Sequence, residues 1–297
     1  MDYDNLRLFL HLSRSLHFGR TSRECHISPS ALSRTVQRLE RELGWPLLER
    51  DRRQVKLTPE GARFADHARE TLERWEALRE GMKDPTDILS GTISIFASVT
   101  ACQTFLPRLL AAFRQQHPEI HIALETGYAA DALEMVEKGR VDVAVAALPD
   151  RVSSALVSRV LLYTPLVFVA PVLSGEVSRS LDGQPVDWSE IPIVLPAAGL
   201  ARAQVDRWFR SKRIRPAVYS EVAGNEAILS LVALGCGVGI VPRLVVDKSP
   251  LRAEVRPLDV DPAIGEFRVG LCALKRKLTS PIVRVFWDST DSRAKSG

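Results

Sequence analysis

The chain contains no apolar run near the roughly 20 residues that a membrane-spanning helix requires, so no helical span is expected. Its 4 cysteines, Cys25, Cys102, Cys236 and Cys272, are far apart and form no Cys-x-x-Cys pair. That spacing excludes a disulfide framework and a zinc site, and leaves small buried thiols in a reducing compartment. There is no Gly-x-Ser-x-Gly elbow, no phosphate-binding loop and no His-Glu-x-x-His pair. Without them, no enzyme activity, metal or cofactor is expected. His117 and His121 stand four apart, but Pro118 breaks any helix that would place them on one face. The opening Met1-Asp2-Tyr3-Asp4 lacks a basic stretch and apolar core, so a cytoplasmic location is expected.

What is present reads as a globular protein of two or three compact units, with 297 residues, 45% hydrophobic and 26% charged. The formal net charge is only +4, but its placement is uneven. Residues 1–57 hold 11 Lys+Arg against 7 Asp+Glu, whereas residues 58–85 hold 5 against 7. The positive excess therefore sits at the N-terminal end, where a nucleic-acid partner would be met first.

That end carries a helix-turn-helix pattern. Phe18 to Glu24 reads as a short helix, and a second begins at Ser28, whose hydroxyl can cap bare N–H groups, with Pro29 at the first helical position. Leu32, Val36, Leu39 and Leu43 recur at helical spacing and are expected to be buried. Ser30, Ser33, Arg34, Gln37 and Arg38 are left outward, a set suited to base edges and phosphates in a major groove. Gly44 to Leu57 reads as two short strands around an arginine-rich tip, a wing whose Arg52, Arg53 and Lys56 would reach phosphates or a minor groove.

Thr58-Pro59-Glu60-Gly61 starts a further helix that runs unbroken to about Lys83. Ala65, Ala68, Leu72, Trp75, Leu78 and Met82 form a near-heptad seam, expected to be buried against the same helix of a second subunit, or else on its own domain. Beyond a break at 84–87, strand-like and helix-like segments alternate. Thr92 to Phe96, Ile120 to Leu124 and Val141 to Val145 read as strands, with helices at Phe105 to Gln116 and Ala130 to Lys138. The pattern is interrupted near Leu161 to Pro171, restarts at Ile193, and ends with Phe267 to Ala273 returning to the first part. The expectation is an open, parallel-type α/β sheet in two lobes around a ligand cleft. The domains are placed at 1–57 (winged helix-turn-helix), 58–85 (linker helix) and 91–297 (effector domain). Within the last, lobe I covers about 91–163 and 267–290, and lobe II about 164–266.

Taken in order, the helix-turn-helix, the wing ending in Leu57-Thr58-Pro59-Glu60-Gly61, and Leu234-Gly235-Cys236-Gly237-Val238-Gly239-Ile240-Val241-Pro242 resemble the LysR-type transcriptional regulators. The resemblance runs from Tyr3 to about Trp287. One departure is Thr21-Ser22, where the family usually carries two alanines. The resemblance implies a winged helix-turn-helix, a long linker helix and a periplasmic-binding-protein-like effector domain with two α/β lobes. It also implies a homodimer or homotetramer on a double-stranded operator with two half-sites, acting on RNA polymerase in response to a small molecule.

Ser98-Val99-Thr100-Ala101 follows a strand and opens a helix, a start suited to a small carboxylate. By resemblance Ser98, Thr100 and Ala101 belong to the effector site. Thr126 and Gly127 hold the matching place after the next strand. Ala198 and Gly199 open a helix of the other lobe, where Arg202 would pair with an acidic ligand. Further stretches, such as Thr126 to Ala132 and Glu226 to Gly237, are similar to the regulators that activate the acetohydroxy acid isomeroreductase gene of isoleucine–valine synthesis. That narrower likeness implies acetolactate or acetohydroxybutyrate as co-inducer. A regulator sensing a different small carboxylate, and a bilobed small-molecule carrier, remain as alternatives.

Overall fold

The computed structural model describes residues 2–50, 54–82, 88–182 and 186–290, which gather into two compact units, Met1–Asp87 and Ile88–Gly297. The first unit runs α1 (Tyr3–Ser15), α2 (Phe18–Glu24), α3 (Pro29–Leu43), β1 (Leu48–Arg50), β2 (Val55–Leu57) and α4 (Pro59–Gly81). Its core joins Leu6, Phe9 and Leu12 of α1 to Leu32, Val36 and Leu39 of α3, all at most 3% exposed. Each such side chain contributes about 1.5–3 kcal/mol by leaving water. Leu43, expected in the same stripe, is exposed in the last turn of α3, which ends at Gly44.

The seam of α4 divides. Ala65, Ala68 and Leu72 join the core of the head itself, with Phe64 packed on Phe9 at 5.0 Å between ring centroids. Trp75 stacks on Tyr3 at 4.9 Å. Trp75 is nevertheless exposed on its other side, and further along Leu78 and Met82 are more so. The first half of the stripe is thus covered by α1, not by a second subunit.

Thr21 and Ser22 of α2 are both buried. Thr21 shares a hydrogen bond with the Ser15 hydroxyl at 2.5 Å, whereas Ser22 Oγ has no partner among the described residues. A buried hydroxyl without a partner is destabilising, so Ser22→Ala is expected to stabilise the head by about 1 kcal/mol. Amide hydrogen exchange across α2 and α3 should slow in the full chain; faster exchange would contradict this account.

The second unit contains β3 (Gly91–Ala97), α5 (Val99–Thr104), α6 (Leu106–Gln116), β4 (Ile120–Thr126), α7 (Ala132–Glu137), β5 (Val143–Ala147) and β6 (Leu156–Pro171). These are followed by α8 (Glu176–Asp182), β7 (Pro192–Pro196), α9 (Gly199–Lys212), β8 (Ala217–Val222) and α10 (Asn225–Ala233). The chain then forms β9 (Val238–Pro242), α11 (Arg243–Lys248), β10 (Val255–Leu258), β11 (Glu266–Leu274) and α12 (Pro281–Ser289). The strands are hydrogen-bonded in the order β4-β3-β5-β11-β6-β9-β7-β8, with β10 beside β6.

Strand alternation covers both faces of each lobe. In β3, Ile93 and Ile95 face one cluster with Phe113 and Phe286, while Phe96 faces another with Val136. In β7, Ile193 and Leu195 pack with Trp208 and Phe209, and Val194 with Ile228 and Val232. The sheet is not purely parallel. β4-β3-β5 and β9-β7-β8 are parallel trios, but β6, β10 and β11 pair antiparallel between them.

The stretch expected as an interruption is one long strand that belongs to both lobes. β6 pairs with β11 as far as Pro165 and with β9 from Leu166 onward. The chain returns beside it, where Leu166 N–H donates to the Gly265 carbonyl at 3.1 Å. These two adjacent crossings join the lobes.

Candidate functional site

Two surfaces carry chemistry, one on each unit. On the first, Ser28 Oγ accepts the Ala31 N–H at 3.1 Å and starts α3, with Pro29 in its first turn. Ser28, Pro29, Ser30, Arg34, Gln37 and Arg38 are exposed and Ser33 is half-buried. Ser30, Arg34, Gln37 and Arg41 recur every three to four residues and form one stripe opposite Leu32, Val36 and Leu39. Arg41 was missed in the sequence, although its position four after Gln37 was the available signal.

Arg38 is not simply outward: its Nη2 donates to Oδ1 of the buried Asn5 at 2.7 Å, which fixes it against α1. Glu40 is turned away from the stripe. Its Oε1 accepts the N–H groups of Leu47 and Leu48 at 2.9 and 3.3 Å and anchors the start of the wing. The outer face is therefore polar and cationic, with backbone and helix ends already satisfied. Arg52 and Arg53 lie outside the described residues; Lys56 is exposed on β2.

On the second unit a cleft of about 600 Å³ opens between the lobes. Much of its wall is apolar, from Val99, Ala129, Ala130, Leu133, Leu200 and Val222. Polar groups converge from three helix starts. Ser98 caps α5, its Oγ accepting the Ala101 N–H at 3.3 Å. Thr100 Oγ1 donates across the cleft to Glu226 Oε1 at 2.5 Å. Neither α9, which begins beside Ala198, nor α10 has a side-chain cap. Both present helix starts to the cleft; that of α9 has no acidic residue in its first turn and is favourable to an anion, whereas α10 carries Glu226 there.

Ser98, Thr100, Thr126, Gly127, Ala198 and Gly199 all line this cleft. Ala101 is 3% exposed and faces a smaller adjoining void beside Thr164. Gly127 also has a packing reason, because a Cβ there would stand 2.7 Å from the Phe96 ring. Gly199 has φ +85, and its Cβ would meet the Ala130 Cβ at 2.9 Å, so the lobes approach closely at this point.

Arg202 is not on the cleft wall. Its Nε donates to Asp206 at 2.9 Å, Nη1 to the Pro196 carbonyl at 3.1 Å, and Nη2 pairs with Glu221 at 2.8 Å. The guanidinium is engaged within its own lobe by the carboxylates of Asp206 and Glu221.

Sequence reasoning missed Tyr128, Asn225 and Glu226. Tyr128 Oη donates to the Ala198 carbonyl at 2.8 Å and accepts its N–H at 2.9 Å, bridging the lobes. The signal for Glu226 was its place at the start of a helix after Gly224, the same context that drew attention to Ser98. Burial raises the pKa of the Cys102 thiol beside this site and pushes that of the buried Cys272 up to about 12. Among the described residues, no group of side chains could hold a metal, and no helix is long and apolar enough to cross a membrane.

A helix-turn-helix head and a two-lobed ligand unit in one chain define a ligand-responsive DNA-binding regulator. The chain belongs to the LysR family of bacterial transcriptional regulators. Residues 3–62 match the bacterial regulatory helix-turn-helix protein, lysR family, and residues 87–295 match the LysR substrate binding domain.

Among its relatives, the transcriptional activator IlvY of Haemophilus influenzae is 40% identical over 288 residues, covering 97% of this chain and 99% of the relative. The regulator IlvY of Escherichia coli is 41% identical over 290 residues, covering 97% and 98%. The fold is also that of full-length OxyR from Pseudomonas aeruginosa, with TM-score 0.70, 23% identity and coverage of 98% and 94%. It is likewise that of CbnR in complex with its target DNA, with TM-score 0.64, 21% identity and coverage of 99% and 100%.

Proposed function

We propose that this chain is a cytoplasmic activator of isoleucine–valine synthesis. It would switch on the acetohydroxy acid isomeroreductase gene when acetolactate or acetohydroxybutyrate occupies the cleft. The observation that carries this reading is the identity of 40–41% over 97% of the chain to activators and regulators named IlvY, which extends through both units. The cleft agrees with it. Ser98, Thr100 and Thr126, with the start of α9 at Ala198 and Gly199, offer hydroxyls and a positive helix end to a small hydroxy-keto acid.

The head is assigned to a double-stranded operator, with Ser30, Ser33, Arg34, Gln37 and Arg38 of α3 at the major groove, Ser28 and Pro29 at its entry, and Arg52 and Arg53 at the phosphates. The exposed end of α4, with Leu78 and Met82, suits a second copy of the same helix, giving a homodimer or homotetramer over two half-sites. Ligand need favour one cleft geometry by only about 1–3 kcal/mol to change how that assembly meets RNA polymerase.

Footprinting and transcription on the promoter of the acetohydroxy acid isomeroreductase gene test this reading. Two protected half-sites are expected, with transcript rising on addition of acetolactate. Arg34→Ala should lower operator affinity by about 1–3 kcal/mol and relax the sequence preference; unchanged binding would remove α3 from the groove. A response to another carboxylate and not to acetohydroxy acids would overturn the pathway.

A further inference from the structure

We propose that Glu226 is a specificity-determining residue that selects ligands carrying a hydroxyl and rejects those carrying a second carboxylate. The inference rests on the reading that the cleft takes an acetohydroxy acid. Glu226 is the one charged side chain among the described residues of the cleft wall. It lies in the first turn of α10, is half-buried, and accepts a hydrogen bond from the Thr100 hydroxyl on Oε1 at 2.5 Å. Among the described residues no donor pairs with Oε2, which lies 3.7 Å from the place a Cβ would occupy on Gly224.

A carboxylate only accepts hydrogen bonds. With one oxygen engaged by Thr100, the other demands a donor from whatever fills the space beside it. A second negative charge in that half-buried position would be repelled by the Glu226 carboxylate. The intended ligand is itself an anion, so its carboxylate must turn away from Glu226. The start of α9 at Ala198 and Gly199, which has no side-chain cap and no acidic residue in its first turn, lines the same cleft and offers it a positive potential.

A ligand oriented by these two constraints places a hydroxyl, not an acid group, against Glu226. Acetolactate and acetohydroxybutyrate each have one carboxylate and one hydroxyl on the same carbon, which meets both requirements. Thr100 then acts on specificity through Glu226, because its hydrogen bond holds the carboxylate at the cleft.

Calorimetric titration of the full chain distinguishes the possibilities with three probes. They are acetolactate, 2-methylacetoacetate (the same skeleton without the hydroxyl) and citramalate, in which a carboxymethyl group replaces the acetyl group. The intact protein is expected to bind acetolactate about 10- to 100-fold more tightly than either analogue. In Glu226→Gln, which keeps the size and can still accept from Thr100, the hydroxyl preference should shrink to about threefold and citramalate should gain about tenfold or more.

Glu226→Asp retains the charge and should still exclude citramalate. A Glu226→Gln protein that keeps both the hydroxyl preference and the exclusion of citramalate would overturn the inference alone. Failure of the intact protein to bind acetolactate would overturn the acetohydroxy-acid reading, and this inference with it.

Discussion

Gly61→Ala is expected to abolish operator binding while leaving the ligand affinity of the second unit unchanged. A Cβ on Gly61 would lie 1.9 Å from the Leu47 carbonyl oxygen and 2.9 Å from its carbon. Both are backbone atoms, so no side chain can turn aside. The Leu47 carbonyl is held in turn by the Thr58 N–H at 3.1 Å. The Thr58 hydroxyl donates to the Pro46 carbonyl at 2.7 Å and accepts the Gly61 N–H at 2.9 Å.

Making room therefore means moving the start of α4 away from the wing, and with it Phe64, Ala65 and Ala68 from the head's core. Overpacking of this kind costs about 3 kcal/mol, a large part of the stability of a small unit. The measurement is operator affinity alongside ligand titration of the same preparation. Full operator binding by Gly61→Ala would show that α4 can shift without disturbing α3.

Thr100→Val should have the second large effect, on the other unit. The substitution preserves shape at a position 9% exposed and removes the donor to Glu226. Hydrogen bonds to charged groups contribute about 1.5–3 kcal/mol, so acetolactate affinity is expected to fall about 10- to 150-fold. Operator affinity without ligand should be unchanged, because Thr100 belongs to the ligand unit. An unaltered transcriptional response would remove Thr100 from effector binding.

These two residues show different degrees of legibility. Thr58-Pro59-Glu60-Gly61 is readable as a helix start, since a hydroxyl cap and a proline at the first position act within one turn. The need for glycine at position 61 is not readable there, because the Leu47 carbonyl approaches from another element. Thr100 was visible as part of a helix start after a strand. Its partner Glu226 lies 126 residues further on, and no local pattern links the two.

The same division runs through the molecule. Caps, turns and the spacing of Leu32, Val36 and Leu39 depend on neighbours within about four residues, so the sequence by itself determined α3, its outward polar stripe and the alternating strands of both lobes. The sequence motifs were also enough to indicate the family. Tertiary structure alone decided which elements cover one another. It placed the first half of the α4 seam against α1, made β6 one strand shared by both lobes, and engaged Arg202 with Glu221 away from the cleft. It also brought Tyr128 to Ala198 and Thr100 to Glu226. Periodicity specifies that a face must be buried or a charge paired, but the partner is chosen by long-range packing, which a one-dimensional pattern does not contain.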